Sequence, residues 1–170
     1  MKHEYISFIT KTSVLLSVSL IIGYFESLLP PLIPFVPYFK LGLSNIVLII
    51  ALLRINIFSA YIISLLKSII VPLFVGNPSM IMYSLPASII SLSIMVIVMV
   101  LFGLGIPSTS VLASITHNFV QIIVAYLIME TKIIFSYLPY LSIISILSGI
   151  ITGLISFWIL KSVSSKNYLM

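Results

Sequence analysis

The sequence predicts an all-α, polytopic integral membrane protein, a bundle of about six transmembrane helices. Three observations predict it. Of 170 residues, 61% are hydrophobic and only 6% charged, and mean hydropathy is +1.34, a composition no soluble domain of this length carries. Charge-free apolar runs recur along the whole chain, separated by short turns rich in Pro, Gly and Asn. Most runs approach the ~20 helical residues that cross a hydrocarbon core of roughly 30 Å. The charge balance of 8 basic to 3 acidic residues, net +5, is scattered singly rather than clustered with aromatics. It therefore reads as topology information and gives no nucleic-acid surface. The chain has no Cys, so disulfides, thiolate metal sites and thiol nucleophiles are excluded.

The spans follow in order as one transmembrane domain over residues 1–170. The first covers about 12–29 and stops where Pro30 and Pro31 remove backbone donors. Pro30, Pro31, Pro34 and Pro37 then make a stiff external loop. The second, about 41–53, is short enough to be tilted or re-entrant, and Arg54 and Asn56 mark the turn after it. The third, about 57–75, holds Lys67 and ends at Gly76-Asn77-Pro78. The fourth, about 79–102, is interrupted early by Pro86, and Gly103, Gly105 and Pro107 form the next turn. The fifth, about 108–129, carries His117, Asn118 and Gln121, and Glu130 and Lys132 sit in the turn beyond. The sixth, about 137–160, ends at Lys161 and a polar tail.

With six spans both termini share a side. That side would hold Lys2, Lys11, Arg54, Lys161 and Lys166, against Lys40 and Lys132 opposite, so the termini are expected in the cytoplasm; the expected location is a bacterial-type cell membrane. Lys2 and Lys11 before an apolar run also suit a signal peptide. No small-residue cleavage site follows, so a retained first helix is expected.

Small residues at four-residue spacing let helix backbones approach closely in a bilayer. Ser145, Gly149 and Gly153 form such a stripe on the sixth span, and Ser13 with Ser17 and Ser19 with Gly23 on the first. Each suits either internal packing or the docking of a separate membrane subunit.

Charged and strongly polar groups inside spans are costly and mark functional candidates. Glu26, Lys40, Asn45 and Tyr83 lie towards the outer ends of their spans. Lys67 lies about 11 residues into the third span, roughly 16 Å across, and His117 near the midplane. His117 and Gln121 are one turn apart on one face, with Asn118 beside them and Ser114 one turn before it. These groups are expected to line one pocket open to the outside and capped by the Pro-rich loop. For Glu26 and Lys40 the bland alternative is mutual pairing or a place among the headgroups. For His117, Asn118 and Gln121 it is interhelical hydrogen bonding. For Lys67 a carbonyl cage, Glu26 or an anionic ligand is the expected partner.

Catalysis has little support. A diphosphate-handling enzyme needs acidic residues to hold magnesium, and the chain has no Asp and only Glu4, Glu26 and Glu130, far apart in sequence. No Gly-rich phosphate loop, zinc-type cluster or paired carboxylates occur. No catalytic residue, metal or cofactor is expected.

Several segments also resemble a family. Glu26-Ser27-Leu28-Leu29-Pro30, Lys40-Leu41-Gly42-Leu43-Ser44-Asn45, Tyr83-Ser84-Leu85 and His117-Asn118 with Gln121 resemble the small membrane proteins labelled heptaprenyl diphosphate synthase component I, or Gx transporter family, in the right order over nearly the whole chain. That family is similar in size and span count to the substrate-binding S components of energy-coupling-factor (ECF) transporters. The resemblance implies a six-helix bundle with cytoplasmic termini and an outward pocket capped by the loop after the first helix. It leads one to expect an Arg where this chain has Lys67, a Gly pair where it has Pro86-Ala87-Ser88, and an Ala-based coupling stripe where it has Ser19 and Gly23. The expected function is a membrane-embedded, S-component-like subunit for uptake of a small anionic or partly polar molecule, partnered by a membrane coupling subunit and an ATPase module. The alternative is a non-catalytic membrane accessory component in isoprenoid or quinone metabolism.

Overall fold

The computed structural model describes residues 2–28 and 42–166. The Pro-rich loop and Lys40 lie outside the described residues. Six α-helices follow in order: α1 (Lys2–Leu28), α2 (Asn45–Arg54), α3 (Ile57–Phe74), α4 (Met80–Phe102), α5 (Ile106–Met129) and α6 (Leu138–Lys166). A 3-10 helix over Lys132–Tyr137 precedes α6. Among the described residues there is no strand. Five helical stretches are long and apolar enough to cross a membrane, and α2, with 10 residues, is the shorter apolar exception.

Helix ends follow from local chemistry. Asn56 caps α3 by accepting the Ser59 amide at 2.7 Å, meeting one of the donors a helix start leaves open. Gly103, at φ 60°, closes α4 in the left-handed conformation that glycine adopts without strain. Pro107 sits in the first turn of α5, where its missing N–H is not needed.

Side-chain pairs fix the packing order. Thr12 meets Ser59 at 2.8 Å and Gly23 faces Val71, so α1 and α3 run parallel. Ser68 meets Ser88 at 2.8 Å and Tyr61 meets Ser93 at 2.7 Å, so α3 and α4 run antiparallel. On α5 and α6, Ser110 meets Thr152 at 2.8 Å, Ser114 meets Ser148 at 3.0 Å, and the Asn118 amide donates to Ser145. These rungs also run antiparallel. The stripe of Ser145, Gly149 and Gly153 is buried against α5. A Cβ on Gly149 would lie 2.6 Å from the Val111 Cα, and one on Gly153 2.7 Å from the Pro107 Cα. Small residues here bring two backbones together.

The short helix α2 is enclosed by its neighbours. Val47, Leu48, Ile49 and Ala51 are buried with Ile63, Leu92 and Leu160 in the main core. Arg54 ends α2 by donating to the Leu160 carbonyl at 2.8 Å. A second cluster, including Tyr83, Ile122, Ile134 and Leu141, closes the other end of the bundle. Large apolar side chains such as Phe74, Leu101 and Phe102 remain about 70% exposed, the inverse of a soluble surface and suited to lipid. Helix α1 is the most peripheral. It packs on α2 and α3, and only 17% of its apolar window is buried.

Candidate functional site

Glu4, Glu130, Lys11, Lys132 and Lys161 are exposed, but Glu26 and Lys67 are only 6% and 8% exposed inside the bundle. Both line one cavity of about 40 Å³. It lies between α1, α3, α4, α5 and the turn that opens α2, towards the end of the bundle away from the termini. Its volume admits a few water molecules or a small ion.

The turn at 42–44 builds one wall. Gly42 has φ 77°, a left-handed conformation that favours glycine, and a Cβ there would lie 3.0 Å from the Asn45 side-chain nitrogen. The Gly42 amide donates to the Glu26 carboxylate, fixing the start of α2 against α1 and satisfying an otherwise open backbone donor. Ser44 and Asn45 then face inward, and Lys67 Nζ donates to the Ser44 hydroxyl at 3.0 Å. A buried ammonium needs such oxygen partners, since moving an unpaired charge out of water is very costly.

Helices α3 and α4 supply hydroxyls. Ser68 donates to the Ser64 carbonyl at 2.7 Å and sits 2.8 Å from the Ser88 hydroxyl, while Ser84 donates to the Ser68 carbonyl at 3.0 Å. Pro72 stands inside α3 at the cavity. From α5, His117 and Gln121 complete the lining. The His117 Nδ1 lies 3.5 Å from the Ser91 hydroxyl, a loose contact at the limit of hydrogen bonding. The walls thus offer one carboxylate, one ammonium, an imidazole, two carboxamides and several hydroxyls. That set binds and orients a polar molecule by charge and directional hydrogen bonds.

Of the residues singled out from sequence, the cavity brings together Glu26, Asn45, Lys67, His117 and Gln121. Asn118 does not reach it. Its amide donates to Ser145 on α6, and its Oδ1 is buried with no hydrogen-bond partner among the described residues. Tyr83 packs instead in the second apolar cluster. Lys40 lies outside the described residues. Sequence reasoning missed Ser68 and Ser88, because serine is so frequent along these helices that no single position stood out. A usable signal was the place of Ser68 directly after Lys67. Among the described residues, no three His, Asp or Glu side chains come together as a metal site.

Fold and site define a class: a multi-pass membrane helix bundle with a polar, charge-bearing cavity near one end. The chain belongs to the family described as heptaprenyl diphosphate synthase component I, whose family model matches residues 15–158. The matched span covers every residue that lines the cavity. No curated protein and no solved structure matches the chain.

Proposed function

We propose that this protein is the substrate-binding membrane subunit of an uptake system for a small anionic or partly polar molecule. The observation that carries the reading is the convergence of Lys67, Glu26, Asn45, His117 and Gln121 from four helices on one cavity, which brings the two buried charges Glu26 and Lys67 together. Buried charge in a membrane bundle is retained where it serves a substrate or ion path. Lys67 supplies the positive charge, while Asn45, His117 and Gln121 supply directional hydrogen bonds. At about 40 Å³ the cavity admits little more than water, so a larger substrate requires α1 to part from α3. The protein works as a binding subunit rather than an enzyme, partnered by a membrane coupling subunit and an ATPase module in the manner of ECF S components. The basic residues Lys11, Arg54 and Lys161 gather at the end of the bundle that carries the termini, with Lys132 opposite. That asymmetry supports a cell-membrane protein with both termini in the cytoplasm.

The family description favours a second reading, a non-catalytic membrane accessory component in isoprenoid or quinone metabolism. An apolar groove of about 390 Å³ lined by Leu20, Tyr24, Phe25 and Phe74 has the character a prenyl tail would need. Native mass spectrometry of detergent-purified protein from its own host separates the two. A retained water-soluble molecule that is lost in Lys67→Met, or a co-purifying ATPase module, is the expected result. A bound polyprenyl compound or a co-purifying prenyl synthase would replace the uptake reading with the second. Unchanged retention of a water-soluble molecule in a folded Lys67→Met variant would remove Lys67 from the site.

A further inference from the structure

At the end of the bundle that carries the termini, a second cleft opens between the first turns of α1 and the α2–α3 turn. It measures about 430 Å³ and is lined by His3, Glu4, Ser7, Lys11, Arg54 and Asn56, with Phe8 and Ile55. His3, Ser7 and Lys11 stand at four-residue spacing, so one face of α1 presents all three to the same space. Lys11 has no ion pair or hydrogen bond among the described residues. Arg54 uses one donor on the Leu160 carbonyl and is otherwise exposed to the cleft. Glu4 holds an interaction of its own within the structure, and the two cations outnumber it.

The depth of the cleft defines its surroundings. Apolar α2 ends at Arg54, apolar α3 begins at Ile57, and the Thr12 to Ser59 contact places α1 at the same level. Residues 3–11 of α1 therefore project past the apolar slab by roughly 13 Å, the depth of a bilayer's headgroups. The cleft wall is also two-faced. Phe8 lines it and stacks on Phe58, ring centroids 6.5 Å apart, and Phe58 is 66% exposed on the apolar side. Basic donors thus face the aqueous end while an aromatic wall leads into the hydrocarbon.

We infer that this cleft is a binding site for the phosphate headgroup of an anionic phospholipid. Lys11 and Arg54 bind the phosphate, His3 and Asn56 add hydrogen-bond donors, and the acyl chains lie along Phe8 and Phe58. Basic pockets between membrane helices at the headgroup level hold anionic lipids by this combination of charge and apolar contact. The site shares no residue with the polar cavity, so it stands whatever that cavity carries.

The test is native mass spectrometry of the full chain in uncharged detergent, titrated with phosphatidylglycerol, with phosphatidylcholine, or with inorganic pyrophosphate. Phosphatidylglycerol should bind about tenfold more tightly than phosphatidylcholine. Lys11→Gln with Arg54→Gln should weaken it on the order of thirtyfold. Because Arg54 also ties α2 to α6, a second variant, His3→Gln with Lys11→Gln, leaves that tie intact and should still lower affinity several-fold. Equal binding of the two lipids overturns the proposal, as does a phosphatidylglycerol preference that survives both double variants. Saturable pyrophosphate binding without lipid binding overturns it too, and assigns the cleft to a soluble phosphate compound.

Discussion

Replacing Gly149 by alanine tests how the bundle is held together. The added Cβ would lie 2.6 Å from the Val111 Cα, 3.1 Å from its nitrogen and 3.2 Å from the Ser110 carbonyl oxygen. All three are backbone atoms, so no side chain can swing aside. Carbon atoms rest at about 3.5–4.0 Å, so α6 must retreat from α5 by about 1 Å. Ser110–Thr152 and Ser114–Ser148, now 2.8 and 3.0 Å apart, would pass beyond hydrogen-bonding range. Overpacking of this kind costs about 1–3 kcal/mol, and each interhelical hydrogen bond lost in a membrane protein adds about 0.6 kcal/mol. The expected destabilisation is therefore about 2–4 kcal/mol. Circular dichroism during titration of the micelle with sodium dodecyl sulfate measures it; a thiol-reactive dye cannot, since the chain has no Cys. Gly105→Ala is the control, because the nearest atom to its new Cβ is 3.9 Å away. Equal stabilities for the two variants would refute close backbone contact between α5 and α6.

Three further outcomes follow from the cavity. Glu26→Gln keeps an acceptor for the Gly42 amide and should leave the fold within about 1 kcal/mol of the parent, whereas Glu26→Ala frees that amide and should cost about 1.5–3 kcal/mol; the same detergent titration reads both. Gln121→Leu should weaken binding of the co-purified molecule about tenfold or more, while Asn118→Leu leaves it unchanged, because Asn118 faces α6. Retention by native mass spectrometry distinguishes them, and equal losses would show that the two faces of α5 act together. Ser44→Ala removes a hydroxyl that holds Lys67 and should tighten an anionic ligand about fivefold; weaker binding would place Ser44 itself among the ligand's contacts.

Hydropathy marks the apolar stretches and not the helix ends. The first span was expected from about Thr12, yet α1 begins at Lys2, because charged side chains such as Lys2, Glu4 and Lys11 lower hydropathy without interrupting backbone hydrogen bonding. The same holds for α6, which continues past Lys161 to Lys166. In the second span the difference runs the other way. Helix α2 starts at Asn45 rather than at about 41, since Gly42 turns the chain in the left-handed region. The segment after α5, read as a simple turn, forms a 3-10 helix that buries Ile134. Cavity-lining residues were legible where charge cost decided, as for Glu26 and Lys67. They were legible only in part where helix rotation decided. His117 and Gln121 share the cavity face of α5, whereas Ser114 and Asn118, displaced around the axis, share the face towards α6. On α4 the same rotation presents Ser84 and Ser88 to the cavity and turns Tyr83 into the apolar cluster.

The two sides of the cavity are built differently, and the difference bears on how it opens. On one side α5 and α6 are locked by backbone contact at Gly149 and Gly153 and by three polar rungs, and α4 packs closely on α5. On the other, α1 meets α3 through Thr12 with Ser59 and Gly23 with Val71, Glu26 joins α1 to Gly42 of the 42–44 turn, and Ser44 of that turn meets Lys67 on α3. Two of those four engage the cavity's own charges. On the proposed reading, a ligand at Lys67 would share the ammonium group that holds Ser44 of the 42–44 turn. Such a ligand shifts the bundle between closed and open states only by the difference in its affinity for the two. On the proposed reading, the groups that would bind the ligand are therefore also among those that join α1 and the 42–44 turn to α3.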